Sequence, residues 1–132
     1  MGTRSKKIQP STVDTTNYPT KVDITKYEMI NPLLISAYEE MKVLSSKKQD
    51  GVLNNLKVKM INKLINSARE ILVDEINMHY LDILDEDMLP QNSDVVIILS
   101  QYIESLNQYR RKNTVRDRFG ALAWRTQGNP NP

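Results

Sequence analysis

Apolar residues along this chain recur mainly at intervals of three and four, the spacing of one helix face. The longest run is Leu53, Leu56, Met60, Ile61, Leu64, Ile65, Ala68, Ile71, Leu72 and Ile76, with Lys57, Asn62, Lys63, Asn66, Arg69 and Glu70 on the opposite side. This pattern predicts a long amphipathic helix over 52–76 with its polar side in water. Before it, Leu34, Ala37, Tyr38, Met41 and Leu44 mark a first helix. Asn31 is its expected N-cap, Pro32 its first helical residue and Gly51 a left-handed C-cap. Leu89-Pro90 interrupts the pattern, because proline disfavours helix at the residue before it. A third helix then opens with Asn92 or Ser93 as cap and carries Val95, Ile98, Leu99, Tyr102, Ile103, Leu106 and Tyr109 on its stripe. Val96 and Ile97 widen the apolar side near its start, which predicts burial against two neighbours or a contact with another molecule.

Between the second and third helices, Leu81, Leu84 and Met88 fit a short helix over 78–89. After the third, helical spacing continues through Val115, Phe119 and Leu122, with Gly120 and Gly128 as interruptions. Residues 1–24 are rich in Ser, Thr, Asn, Pro and Lys with single apolar positions, too few to offset the entropy of ordering. They read as an arm, either a free tail or a segment laid along a partner by strand addition. The alternation Lys21-Val22-Asp23-Ile24-Thr25-Lys26-Tyr27 fits a short strand. The expected fold is all-α: a small antiparallel bundle of three long helices plus a short one, covering 25–126 with its C-terminal extension. An arm over 1–24 precedes it and a tail over 127–132 follows.

Composition narrows the chemistry. At 132 residues and 15.2 kDa the chain is expected to form one domain. It contains no cysteine, which excludes disulfides, thiolate metal sites and cysteine nucleophiles. No apolar stretch follows the basic residues near the N-terminus, and Lys6 stands where a myristoylation motif at Gly2 needs Ser or Thr. The longest apolar run, Val95–Leu99, is far short of the roughly 20 residues of a spanning helix. The expectation is a soluble cytoplasmic protein with no membrane contact.

Charge is sorted along the last 57 residues of the chain. From Ile76 to Leu106 there are six acids, Asp82, Asp85, Glu86, Asp87, Asp94 and Glu104, and no Lys or Arg. From Asn107 to Pro132 there are six bases, Arg110, Arg111, Lys112, Arg116, Arg118 and Arg125, against the one acid Asp117. Sorted charge of this kind belongs to surfaces that meet something. On a helix, Arg111, Arg118 and Arg125 share a flank at intervals of seven, and Phe119 and Trp124 supply aromatic planes beside them. The segment containing Arg110, Arg111, Lys112, Arg116, Arg118, Phe119, Trp124 and Arg125 is therefore the candidate partner or nucleic-acid surface. Asp82, Asp85, Glu86 and Asp87 form a candidate acidic docking surface, which can meet the basic block within one molecule or between two. Trp124, the single tryptophan, is either folded back on the core or an exposed anchor.

Enzymatic chemistry has little support in the sequence. His79 is the one histidine, and no phosphate-binding glycine loop, nucleophile elbow or paired-histidine zinc motif accompanies it. The acids at 82–87 lack the alternation and central glycine of a calcium loop, so no metal or cofactor is expected. The expected function is a non-enzymatic interaction module, a small helical subunit or adaptor that meets a protein partner or another copy of itself. The alternative is a nucleic-acid-binding accessory protein acting through the basic segment, and a hydrolase or nuclease built on His79 is the remote third.

Overall fold

The computed structural model describes residues 16–132, a mostly helical chain in which three helices pack together and a two-stranded hairpin follows. The helices are α1 (Lys21–Lys47), α2 (Asn55–Ile71) and α3 (Asn92–Lys112). A single 3₁₀ turn spans Ile76–Tyr80, and the hairpin pairs β1 (Thr114–Arg116) with β2 (Leu122–Trp124). No described helix is long and apolar enough to cross a membrane. Most of the expected arm, residues 1–15, lies outside the described residues.

α1 begins well before Asn31-Pro32, and the segment read as a strand is its first two turns. The reason is a capping box: Thr20 Oγ1 accepts from the Asp23 N–H at 3.1 Å, and Asp23 Oδ2 accepts from the Thr20 N–H at 2.9 Å. A cap of this kind stabilises a helix by about 1 kcal/mol. Pro32 then sits inside the helix, where it has no N–H to return to the Glu28 carbonyl. The helix runs through it because Tyr27 and Leu34, one on each side, are buried in the same core. Leu34 and Met41 continue that line at seven-residue spacing. At the far end Lys48, in an extended conformation, is the C-cap, and Gly51 is not left-handed. Space at Gly51 is tight: a Cβ there would lie 3.0 Å from Nδ2 of Asn92, which would have to shift. The Asn92 amide itself donates to the Lys48 carbonyl at 2.8 Å, so Asn92 is a buried tie between loops and not the α3 cap.

α2 is shorter than expected. It opens at Asn54, whose side chain accepts from the Lys57 N–H, and ends at Ile71 with Leu72 as C-cap. Its core face is Val58, Ile61, Ile65, Ala68 and Ile71, rotated from the expected stripe so that Leu56 and Met60 are left exposed. Asn62, expected in water, is 4% exposed.

Helix directions follow from side-chain pairs at the ends. Lys26 near the start of α1 meets Glu70 near the end of α2, and Tyr27 meets Tyr109 near the end of α3. Both α2 and α3 are therefore antiparallel to α1, and they run the same way as each other, which departs from the expected antiparallel bundle at that one pair. A parallel pair needs a return segment, and residues 72–91 provide it. After the 3₁₀ turn this segment is extended coil, where a helix over 78–89 was expected.

Three α2 residues at seven-residue spacing fasten the return segment along one flank of the helix. Arg69 Nη1 donates to the Leu81 carbonyl at 2.9 Å, and Asn55 Nδ2 donates to the Glu86 carbonyl at 3.0 Å. Between them Asn62 makes two bonds to one residue: its Nδ2 donates to the Leu84 carbonyl at 2.9 Å, and its Oδ1 accepts the Leu84 N–H at 3.0 Å. Tyr102 of α3, fully buried, closes the network by donating to the Asp82 carbonyl at 2.8 Å and accepting from Arg69 at 3.1 Å. Where this coil segment is buried, at Leu81 and Leu84, side chains satisfy its backbone in this way.

α3 matches its expected stripe. Val95, Leu99, Tyr102, Leu106 and Tyr109 are buried, and Ile98 and Ile103 pack against them. The chain then turns into the hairpin instead of continuing as helix, so the small sheet is an addition to the all-α expectation.

Candidate interaction surfaces

The hairpin is fixed to the helices at its base. Asn113, 1% exposed, is the C-cap of α3: its side chain donates to the Tyr109 carbonyl at 2.9 Å, and its own carbonyl accepts the Arg125 N–H at 2.7 Å. In the ladder Thr114 faces Trp124, Val115 faces Ala123 and Arg116 faces Leu122. The Trp124 ring turns inward and stands edge-on to Tyr27 with centroids 5.1 Å apart, and 6.1 Å from Tyr109. Trp124 is therefore folded back on the core. Beyond it, Gln127 donates through its backbone to the Pro19 carbonyl at 3.0 Å and through its side chain to the Tyr18 carbonyl at 3.1 Å. The expected tail is thus tied at Gln127 to the chain that leads into α1.

Burial of this aromatic group has a consequence for alkaline stability. Burial pushes the Tyr109 phenol well above its ordinary value, and the carboxylates of Asp23, Glu75 and Asp74 push it the same way. Tyr27 is raised by burial, partly offset by Arg110, and Tyr102 is raised by burial, partly offset by Arg69. All three are bound to their protons more tightly folded than unfolded. Their contribution is complete below the unfolded tyrosine pKa of about 10 and is lost as pH rises above it. The urea midpoint should hold steady from neutral pH to about pH 9 and then fall, with a shallower fall in Tyr109→Phe.

The tip of the hairpin is hydrogen-bonded within itself and exposed. Asp117 Oδ1 accepts the N–H groups of Phe119 and Ala121 at 2.9 and 3.0 Å, and Gly120 takes a positive φ of 81°. Arg116 Nη1 donates to the Gly120 carbonyl at 2.8 Å. Asp and Gly three residues apart are the turn signal that a helical reading of 115–122 passed over. This turn holds Phe119 outward at 86% exposure, with the Arg118 guanidinium 5.9 Å from its ring centre.

The basic residues do not form one flank. Arg111 pairs with Glu104 at 3.0 Å, and Lys112 pairs with Glu75 at 3.0 Å. Arg125 donates to the Tyr18 hydroxyl at 3.1 Å and lies 5.8 Å over its ring. Arg116, Arg118 and Phe119 are together at the tip, and Arg110 is exposed on the last turn of α3. The intended heptad Arg111, Arg118 and Arg125 is split among helix, tip and hairpin base.

The acids Asp82, Asp85, Glu86 and Asp87 are all exposed on the return segment, which runs from the level of Tyr102, halfway along α3, back toward the start of that helix. The hairpin follows the other end of α3. Among the described residues these four acids have no ion-pair partner, so the acidic corner does not close on the basic block within one molecule. Asp85 is held below the usual carboxylate range by the N–H groups of Met88 and Asp87, which bond its Oδ1 at 2.9 and 2.8 Å. His79 is exposed on the 3₁₀ turn. Among the described residues no three His, Cys, Asp or Glu side chains gather where they could hold a metal.

Fold and surface define a small helical chain with a fixed, outward-facing hairpin. Compared with family models, with curated proteins and with solved structures, the chain shows no match.

Proposed function

We propose that this chain is a non-enzymatic interaction module, a small helical subunit or adaptor whose hairpin tip docks on a protein partner within a cytoplasmic assembly. The observation that carries this reading is Phe119, 86% exposed on a turn that is hydrogen-bonded in place. Covering such a side chain contributes about 2–3 kcal/mol, and a turn already ordered adds little entropic cost on binding. The cytoplasmic setting is in keeping with the lack of cysteine.

Nucleic-acid binding is the second reading, favoured by the Arg118 guanidinium lying 5.9 Å from the Phe119 ring centre at the tip that also carries Arg116. Magnitude decides against it. Arg111 and Lys112 are ion-paired with Glu104 and Glu75 and Arg125 is half-buried on Tyr18, which leaves Arg110, Arg116 and Arg118 as the exposed bases of this segment outside any ion pair among the described residues. About three phosphate contacts provide a shallow salt dependence and weak affinity.

A photo-crosslinking amino acid at position 119, expressed in cells, should yield one discrete product with another protein, and the same probe at Ser36 should not. Binding of single-stranded nucleic acid at low salt that Arg116→Glu/Arg118→Glu abolishes, without a protein crosslink, would transfer the assignment to nucleic acid. Neither result would remove the hairpin tip as the functional surface.

A further inference from the structure

α2 exposes more apolar surface than its own packing needs. Leu56 and Met60 are 69% and 57% exposed, and with Met41, Leu44 and Leu64 they line an open groove of about 540 Å³ between α1 and α2. Lys57 and Lys63 stand on the same lining, and Glu40 is its one acid. Among the described residues neither lysine has an ion-pair partner. Lys57 also lies in the first turn of α2, where the helix dipole is already positive and no acid offsets it. The groove is an apolar trough with an unbalanced positive rim.

A surface of the opposite kind is on the same chain. On the return segment Ile83 and Met88, 53% and 79% exposed, border one shallow depression together with Asp82, Asp85 and Asp94. The return segment adds Glu86 and Asp87 and carries no Lys or Arg. Asn55 and Asn62 hold this segment on one flank of α2. At 3.6 residues per turn, Leu56, Met60 and Leu64 fall on roughly the opposite flank. One molecule cannot bring its own acidic corner into its own groove, but two molecules can.

We propose that the α1–α2 groove of one copy receives the Ile83–Met88 loop of a second copy, with Lys57 and Lys63 facing Asp82 and Asp87, so that copies associate head to tail. Groove against groove, or corner against corner, would set like charges together, which disfavours a two-fold contact through either patch. Because the two patches face opposite ways, the contact is heterologous and extends into rings or chains. A short loop in a groove covers less than the 1,200 Å² or so of a stable interface, so the association is weak, concentration-dependent and sensitive to salt. The hairpin tip takes no part, and the two readings stand or fall separately.

Sedimentation velocity on the full chain, from micromolar to millimolar concentration, tests this contact. The average sedimentation coefficient should rise with concentration and fall back on adding salt. Lys57→Glu/Lys63→Glu and Asp82→Lys/Asp87→Lys alter exposed side chains, and each alone should weaken association about tenfold or more. Mixed together they should associate again as alternating copies, since each then presents the charge the other lacks. A wild-type chain that stays monomeric at the highest concentration overturns the proposal. So do variants that associate as the wild type does, and a mixture that fails to recover.

Discussion

Asn62→Ala is expected to destabilise the protein by about 3 kcal/mol, far more than an exposed polar residue on a helix costs. Two bonds to Leu84 are lost, and the Leu84 N–H and carbonyl are left without partners inside the protein. Stranding a buried backbone group costs about 1–3 kcal/mol, and here there are two. Leucine at position 62 fills the space but satisfies neither group, so Asn62→Leu should be no better. Asn55→Ala removes a single exposed bond to Glu86 and should cost less than about 1 kcal/mol. Urea unfolding compares the three variants. Amide exchange at Leu84 gives the local reading, with protection expected to fall in both position-62 variants and hold in Asn55→Ala. Equal effects at positions 55 and 62 would show that the paired amide does not carry the return segment.

Trp124→Ala should cost about 2–3 kcal/mol and free the hairpin from the helices, while Phe119→Ala should change stability by less than about 0.5 kcal/mol. Both remove an aromatic ring from the same hairpin. The Trp124 ring is packed between Tyr27 and Tyr109, at 5.1 and 6.1 Å, and links the start of α1 to the end of α3. Phe119 touches little besides Arg118. Unfolding followed by far-ultraviolet circular dichroism, which does not depend on the tryptophan, gives both numbers. A large loss at Phe119 would mean that its ring supports the fold, and it would withdraw the argument that this residue is free to meet a partner.

Side-chain periodicity made the helices legible, and α3 most clearly, because its stripe from Val95 to Tyr109 is buried along one side as its spacing implies. Errors at helix ends came from local signals that competed on equal terms. Asn31-Pro32 is a sound helix start, but so is Thr20 with Asp23 three residues on, and burial of Tyr27 against Tyr109 and Trp124 decides for the second. The hairpin was missed because its strands are three residues each, too short to show alternation, while Asp117 and Gly120 did carry a turn signal. The seven-residue spacing of Asn55, Asn62 and Arg69 was present in the sequence, yet on an isolated helix it marks a solvated face. Only the segment lying across it gives all three side chains backbone partners and buries Asn62.

Taken alone, then, the sequence determined what short-range physics controls: that three segments are helical, the absence of cysteine chemistry, and an acidic stretch followed by a basic one. Tertiary structure decided what depends on residues far apart in the chain. It placed α2 and α3 parallel, drew Trp124 inward, and held Phe119 out at a fixed tip. It also left Asp82, Asp85, Glu86 and Asp87 out of every ion pair among the described residues, while Glu104 of the same acidic stretch pairs with Arg111 on α3. Charge order along a chain is a one-dimensional property, whereas ion pairing requires a few ångströms in space. Adjacency in sequence therefore became contact for Glu104 and Arg111, two turns apart on one helix, and not for the acids of the return segment.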